Sequence, residues 1–243
     1  MNRPAAPTAP SSKKKPVKKP MSPRTAQLIA IGVALAFVAA ITVIVVTSLG
    51  GGSQTDALPE VTPEGQAEVQ RDDSHYINGS ADSAVTIVEF LDFQCPACAV
   101  AAGSVGSIID TYGDDVAVVI RNFPLTSIHP HAVDSAVAFE AAAAQGAAAE
   151  MYRALFATQE QWSTGSGSQA EVFRGLAEDL GLDMAAYDTA VADPATLERV
   201  SRDNADAMGL GLQGTPSFFI DGEQAAIASL DDLAALVEQA LGE

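Results

Sequence analysis

Cys95 and Cys98, separated by Pro96 and Ala97, are the only cysteines in this chain of 243 residues. Thiols at this spacing can interconvert between dithiol and disulfide, and the thiolate is the form that attacks. They follow an apolar run, Val85-Thr86-Ile87-Val88-Glu89-Phe90-Leu91, which reads as a strand over about residues 84–91. Pro96 suits the first position of a helix, so a helix is expected from near Cys95 to about Tyr112. A cysteine at such a junction meets the positive end of the helix dipole and unpaired backbone N–H groups, and both favour the anion. Cys95 is therefore expected to be the exposed attacker. Cys98, one turn further in, is expected to be the sheltered thiol that resolves a mixed disulfide.

Three other uses of a cysteine pair compete. Zinc could take Cys95, Cys98, His129 and His131, but His-Pro-His is tighter than the usual histidine spacing. Haem attachment needs histidine after the second cysteine, where this chain has Ala99. A structural disulfide closing two residues would add little, because loop-closure entropy grows with loop length. Redox chemistry is the favoured reading, with no metal and no organic cofactor. His129 and His131 read as loop histidines without an assigned role.

The elements around the pair follow from local pattern. Gly113-Asp114-Asp115 turns the chain into Val116–Ile120, a short apolar run typical of a buried strand, so a right-handed β-α-β unit with a parallel pair is expected. Residues 130–208 are alanine-rich with apolar residues at helical spacing, including Met151, Leu155, Val172, Leu176 and Leu180. Four or five helices are expected there, with Asp193-Pro194 starting one of them and Ser163–Ser168 a mobile loop. Ser217–Ile220 reads as a strand, Asp221-Gly222 as a hairpin turn and Gln224–Ala228 as its partner strand. Ser229 with Asp232 caps a last helix carrying Leu233, Val237 and Leu241. Asn78-Gly79-Ser80 matches a glycosylation sequon, a pattern too short to carry weight.

The N-terminal part speaks of location. Residues 1–25 carry seven Lys and Arg, no acid and six prolines, a composition that reads as a disordered cytoplasmic tail. Leu28 to Val46 are nineteen residues without a charge. A helix over about 26–49 would reach roughly 35 Å, enough to cross a bilayer. The stretch is longer than a signal-peptide core and lacks a clear cleavage site, so an uncleaved anchor is expected. The positive-inside rule then places the N-terminus in the cytoplasm and the rest outside the cell membrane. Residues 50–243 hold six arginines, no lysine and all thirty-one acids, which argues against nucleic acid or anionic lipid as a partner. Residues 50–75, with Gly50-Gly51-Gly52-Ser53, Pro59 and Pro63, read as a flexible linker.

The run Val88-Glu89-Phe90-Leu91-Asp92-Phe93-Gln94-Cys95-Pro96-Ala97-Cys98 resembles the active-site region of DsbA-like thiol-disulfide oxidoreductases of the thioredoxin superfamily. Gly214-Thr215-Pro216-Ser217-Phe218-Phe219-Ile220-Asp221-Gly222 resembles that family's Thr–cis-Pro loop, and Arg121-Asn122-Phe123-Pro124-Leu125 matches membrane- or lipid-anchored members from Gram-positive bacteria. The resemblance covers about 76–243. It implies an α/β, thioredoxin-like fold with an inserted helical subdomain at about 127–208, here preceded by one transmembrane helix. It also implies Cys95 as nucleophile, Cys98 as resolving cysteine, Pro216 as a cis-proline facing them, Thr215 as backbone partner of an extended substrate, and Glu89 as a buried acid beneath the pair.

The implied activity is oxidation of cysteine pairs in exported proteins, with recycling by a quinone-linked membrane thiol oxidase. A reductase or isomerase, or a tethered binding module, stay open. Ala97 stands where strongly oxidising members have histidine, and Gln94 where an aromatic residue is common. A less depressed Cys95 pKa and a less oxidising couple are therefore expected.

Overall fold

A computed structural model describes Leu58 and residues 67–242. The expected tail (1–25), membrane span (26–49) and most of the linker lie outside the described residues. Among the described residues, no helix is long and apolar enough to cross a membrane.

Five strands form one sheet among the described residues: β1 His75–Asn78, β2 Val85–Leu91, β3 Val116–Asn122, β4 Ser217–Ile220 and β5 Glu223–Gln224. Their order is β1-β3-β2-β4-β5. β2 and β3 run parallel, from Val85 beside Val116 to Leu91 beside Asn122; the other pairings are antiparallel. β3 is buried along its whole length, and all of β2 except Thr86 is buried, as a central pair covered on both faces requires. Side chains alternate between faces. Val85, Ile87 and Leu91 therefore join the larger core, while Val88 and Phe90 join a smaller one with Val119, Phe123 and Phe219. Glu89 shares the larger face.

The crossover from β2 to β3 is α1, Pro96–Tyr112, followed by a 3-10 turn over Gly113–Asp115. Its buried residues Cys98, Ala101, Val105 and Ile108 recur at three- and four-residue intervals, one stripe laid on the sheet. The helical insert then comprises α2 Ala132–Ala143, α3 Ala148–Ala157, α4 Gln159–Trp162, α5 Ala170–Asp179, α6 Met184–Ala192 and α7 Pro194–Gly209. This is one helix more than the periodicity suggests, because α4, at four residues, is too short to show a period. Asp193 caps α7 through its carboxylate, as expected, and Asp183 does the same for α6. The last helix, α8 Leu230–Leu241, opens with the Ser229/Asp232 capping box.

Three expectations are corrected. The strand expected over Gln224–Ala228 is instead Glu223–Gln224: the Ala225 N–H makes a last ladder bond to Phe218 O at 2.9 Å, and by Ala228 the N–H is already donated to the Asp232 carboxylate at 2.8 Å. β1, four residues long, precedes the first strand expected. It is fastened through Asn78, whose Nδ2 donates to Gly113 O and Val116 O, both at 2.7 Å. Gly79 beside it adopts φ +63, and a Cβ there would lie 2.8 Å from Ala117 Cα.

The third correction concerns the linker. Residues 67–74 are docked rather than free: Arg71 makes a two-pronged pair with Asp206, at 2.6 and 2.8 Å. The carbonyls of Glu68 and Val69 accept from Arg121, a guanidinium with no solvent exposure. Arg121 also pairs with Asp203 and Asp206, at 2.8 and 2.6 Å, so the segment completes the shell of a buried charge.

Candidate active site

The site sits where β2 gives way to α1, at the carboxyl end of the parallel pair. Cys95 is the N-cap of α1, with extended backbone and Pro96 behind it. Cys98 is fully buried and Cys95 is 7% exposed, both as free thiols. Cys95 is the outer and Cys98 the inner sulfur, but Cys95 is buried rather than exposed as expected, because it packs at the helix start beneath the Thr215 loop. Across from them the Thr215–Pro216 peptide is cis. Cys95 Sγ donates to Thr215 O at 3.5 Å, so the loop before β4 faces the outer sulfur.

The electrostatics separate the two thiols. Cys95 is lowered to about 5, chiefly by the hydrogen bond from the Cys98 thiol, against the opposing effect of burial. The Thr215 side chain and the N–H groups of Cys98 and Ala97 add to it. Thr215 Oγ1 is buried without a hydrogen-bond partner. Cys98 is pushed far up, first by burial, then by Cys95 and Glu89. Ala97 adds no side-chain donor, yet the helix terminus and Cys98 suffice to hold Cys95 as an anion at neutral pH.

Glu89 lies beneath, without solvent exposure. Its Oε2 accepts from the Tyr152 hydroxyl at 3.2 Å, while Oε1 is buried without a partner. Burial raises this carboxyl to about 8, with the Tyr152 hydrogen bond pulling the other way. An acid that titrates near neutrality beside a buried thiol is suited to proton exchange with it.

The turn leading to Cys95 is held by Asp92 and Gln159, which the sequence did not single out, and by Gln94, His129 and His131, which had no assigned role. Asp92 is buried; its Oδ1 accepts from Gln94 N at 2.8 Å and its Oδ2 from Leu125 N at 2.9 Å. His129 Nδ1 lies 2.7 Å from the same Oδ2. Gln94, where an aromatic residue is common in the resembled family, accepts from His131 N at 2.6 Å and donates to Ser163 O at 2.7 Å. His131 donates from Nε2 to Gly165 O at 2.8 Å. The Ser163–Ser168 segment is therefore tied at two carbonyls, not loose. Gln159 Nε2 is shared between Phe93 O and Cys95 O, at 2.7 and 3.0 Å.

Asp92 has a legible signal, an acid two residues before the N–H that it caps. Gln159 and Tyr152 are far along the chain and have none. The two histidines are used as hydrogen-bonding braces. Among the described residues, no group of three or more His, Cys, Asp or Glu could hold a metal ion.

The sequence model of the thioredoxin family matches residues 71–239, so the chain belongs to that family. Its fold is that of DsbA-type proteins. Wolbachia pipientis α-DsbA1 superposes with a TM-score of 0.62 at 17% identity, covering 71% of this chain and 93% of that one. MdbA, a thiol-disulfide oxidoreductase from Corynebacterium diphtheriae, gives 0.56 at 19% identity, covering 78% and 100%. Among curated proteins, the Na(+)/H(+) antiporter NhaA 1 of Mycobacterium sp. (strain KMS) is 39% identical over 153 residues, 61% of this chain and 24% of the antiporter. The chain thus spans about a quarter of the length of the curated relatives it matches.

Proposed function

We propose that this protein is a membrane-anchored, extracytoplasmic thiol-disulfide oxidoreductase that introduces disulfides into exported proteins through Cys95 and Cys98. The observation that carries the reading is the asymmetry of the pair. One sulfur is stabilised as a thiolate at a helix terminus facing the Thr215–Pro216 loop, and the other is buried and strongly disfavoured as an anion. A low outer pKa stabilises the dithiol relative to the disulfide, which makes the disulfide an oxidant.

A substrate thiolate attacks Cys95 Sγ of the disulfide, the Cys95–Cys98 bond breaks, and Cys98 leaves with the electron pair. Glu89 gives Cys98 a proton. The substrate's second thiolate then attacks its own sulfur in the mixed disulfide and releases Cys95 as a thiolate. The substrate is oxidised by two electrons and the enzyme reduced by two. Reoxidation falls to a quinone-linked thiol oxidase of the membrane.

The outward location rests on the basic tail, the uncharged stretch over 28–46 and the strong excess of acids beyond it. The transport named in the antiporter relatives describes much longer proteins and is not carried to this chain.

The deciding experiment is the reduction potential of the purified protein, equilibrated with glutathione. A value of about −120 to −180 mV is expected. A value near about −270 mV, that of thioredoxin, would instead make it a reductase.

A further inference from the structure

We propose that Tyr152 is a positioning residue for the resolving step. Its hydroxyl, donated to one oxygen of Glu89, holds that carboxyl in place and leaves the other oxygen free to exchange a proton with Cys98. The inference rests on the oxidoreductase reading and on Glu89 as the proton partner, and deepens both.

Three observations carry it. First, the contact is built rather than incidental: Tyr152 is 4% exposed and Glu89 fully buried, and the hydroxyl meets Oε2 at 3.2 Å. A buried polar pair of this kind persists because neither group has water to turn to.

Second, Oε1 is buried with no partner. An uncommitted carboxylate oxygen in the core is costly, and here it is the oxygen left open to a proton from Cys98. The groups facing Glu89 are Tyr152 from α3 and Cys95 and Cys98 from α1. No lysine follows Lys19, and each arginine of the described residues is paired with another acid: Arg71, Arg121, Arg153, Arg174, Arg199 and Arg202. The hydroxyl therefore does the holding.

Third, the Tyr152 ring is fixed where it stands. It packs edge-on against Phe156 at 5.0 Å and Phe93 at 6.2 Å, and Phe93 lies two residues before Cys95. A tyrosine of the helical insert is thus locked between the active-site turn and the acid beneath it.

In the resolving step the Cys98 thiol loses its proton to Glu89 and its sulfur attacks Cys95 Sγ. The bond from Cys95 to the substrate sulfur breaks, and the substrate leaves as a thiolate. Removing the hydroxyl takes a hydrogen bond from the ionised carboxyl, so Glu89 holds its proton to higher pH and accepts one from Cys98 less readily.

The test uses the full protein charged with thionitrobenzoate on Cys95, with release of the coloured thiolate followed against pH by stopped flow. In Tyr152→Phe, which keeps the ring packing, we expect several-fold slower release at neutral pH and a profile displaced to the alkaline side. In Glu89→Gln the pH-dependent limb should disappear, and adding Tyr152→Phe to it should change nothing further. An unchanged profile in Tyr152→Phe, or the same slowing with and without Glu89, would overturn the role of Tyr152 while leaving the relay intact. A Glu89→Gln profile identical to wild type would remove the relay and the proposal with it, while the potential of the cysteine pair would still judge the oxidoreductase reading. Circular dichroism and the urea midpoint of each variant separate these outcomes from misfolding.

Discussion

At the scale of single residues, the two sulfurs can be told apart by chemistry as well as by position. Cys98→Ser should accumulate mixed disulfides through Cys95, whereas Cys95→Ser should form almost none, read by non-reducing electrophoresis after incubation of the reduced variants with a disulfide-bonded substrate protein, one of whose sulfurs leaves as a thiolate when Cys95 attacks. The rate of Cys95 alkylation should be flat above about pH 6 and fall as pH drops through about 5, where the thiolate is lost.

Glu89 gives an opposite signature in stability. Its folded value of about 8 lies above the ordinary carboxyl value of 4.5, so the unfolded chain ionises first. The penalty on the reduced protein is absent below pH 4.5, grows between 4.5 and about 8, and is full above that. Glu89→Gln should accordingly raise the melting temperature of the reduced form, more at pH 8 than at pH 5. Equal gains at both would contradict a neutral buried acid.

At the scale of elements, the sheet carries a charge in its interior and depends on it. Arg121 lies on β3 with its guanidinium 5.1 Å from the Phe90 ring centroid and its donors spent on Asp203, Asp206 and two carbonyls. Arg121→Met should cost about 3–5 kcal/mol by urea titration, because it leaves buried Asp203 without its guanidinium partner and Asp206 with Arg71 alone. The deficit should shrink at acid pH as they take up protons.

Much of the framework around this was legible. The β2–α1–β3 unit, the Asp193 and Ser229 caps and the Asp221-Gly222 turn are local signals, and the two turn residues adopt positive φ, 49° and 84°. The cysteine pair was legible for the same reason, whereas Glu89 was implied only by the family resemblance; the fold places it on the face that α1 covers. β1 escaped because four residues cannot show alternation. Tyr152, Gln159 and the arginine cluster escaped because the partners of each are brought together only by the fold.

At the scale of the whole molecule, the folded part begins before the first strand. Arg71 with Asp206, and Arg199 and Arg202 with Asp73, tie residues 68–73 to α7, while Glu140 gathers His75, Asn122 and Arg199. A chain starting at His75 loses the first set and should unfold at lower urea, by on the order of 1–3 kcal/mol, since partners of buried charges are removed. The potential of the cysteine pair should be unchanged, because none of these groups touches Cys95 or Cys98.

Trp162 is the only tryptophan in the chain. It is fully buried at the end of the same short helix whose Gln159 holds the Cys95 carbonyl, and it stacks edge-on against Phe173 at 5.0 Å. The protein therefore carries an intrinsic optical probe mechanically joined to its redox centre. Emission that changes as the disulfide closes would mean that the insert yields with the chemistry; constant emission would mean that it serves as a rigid wall for an incoming chain.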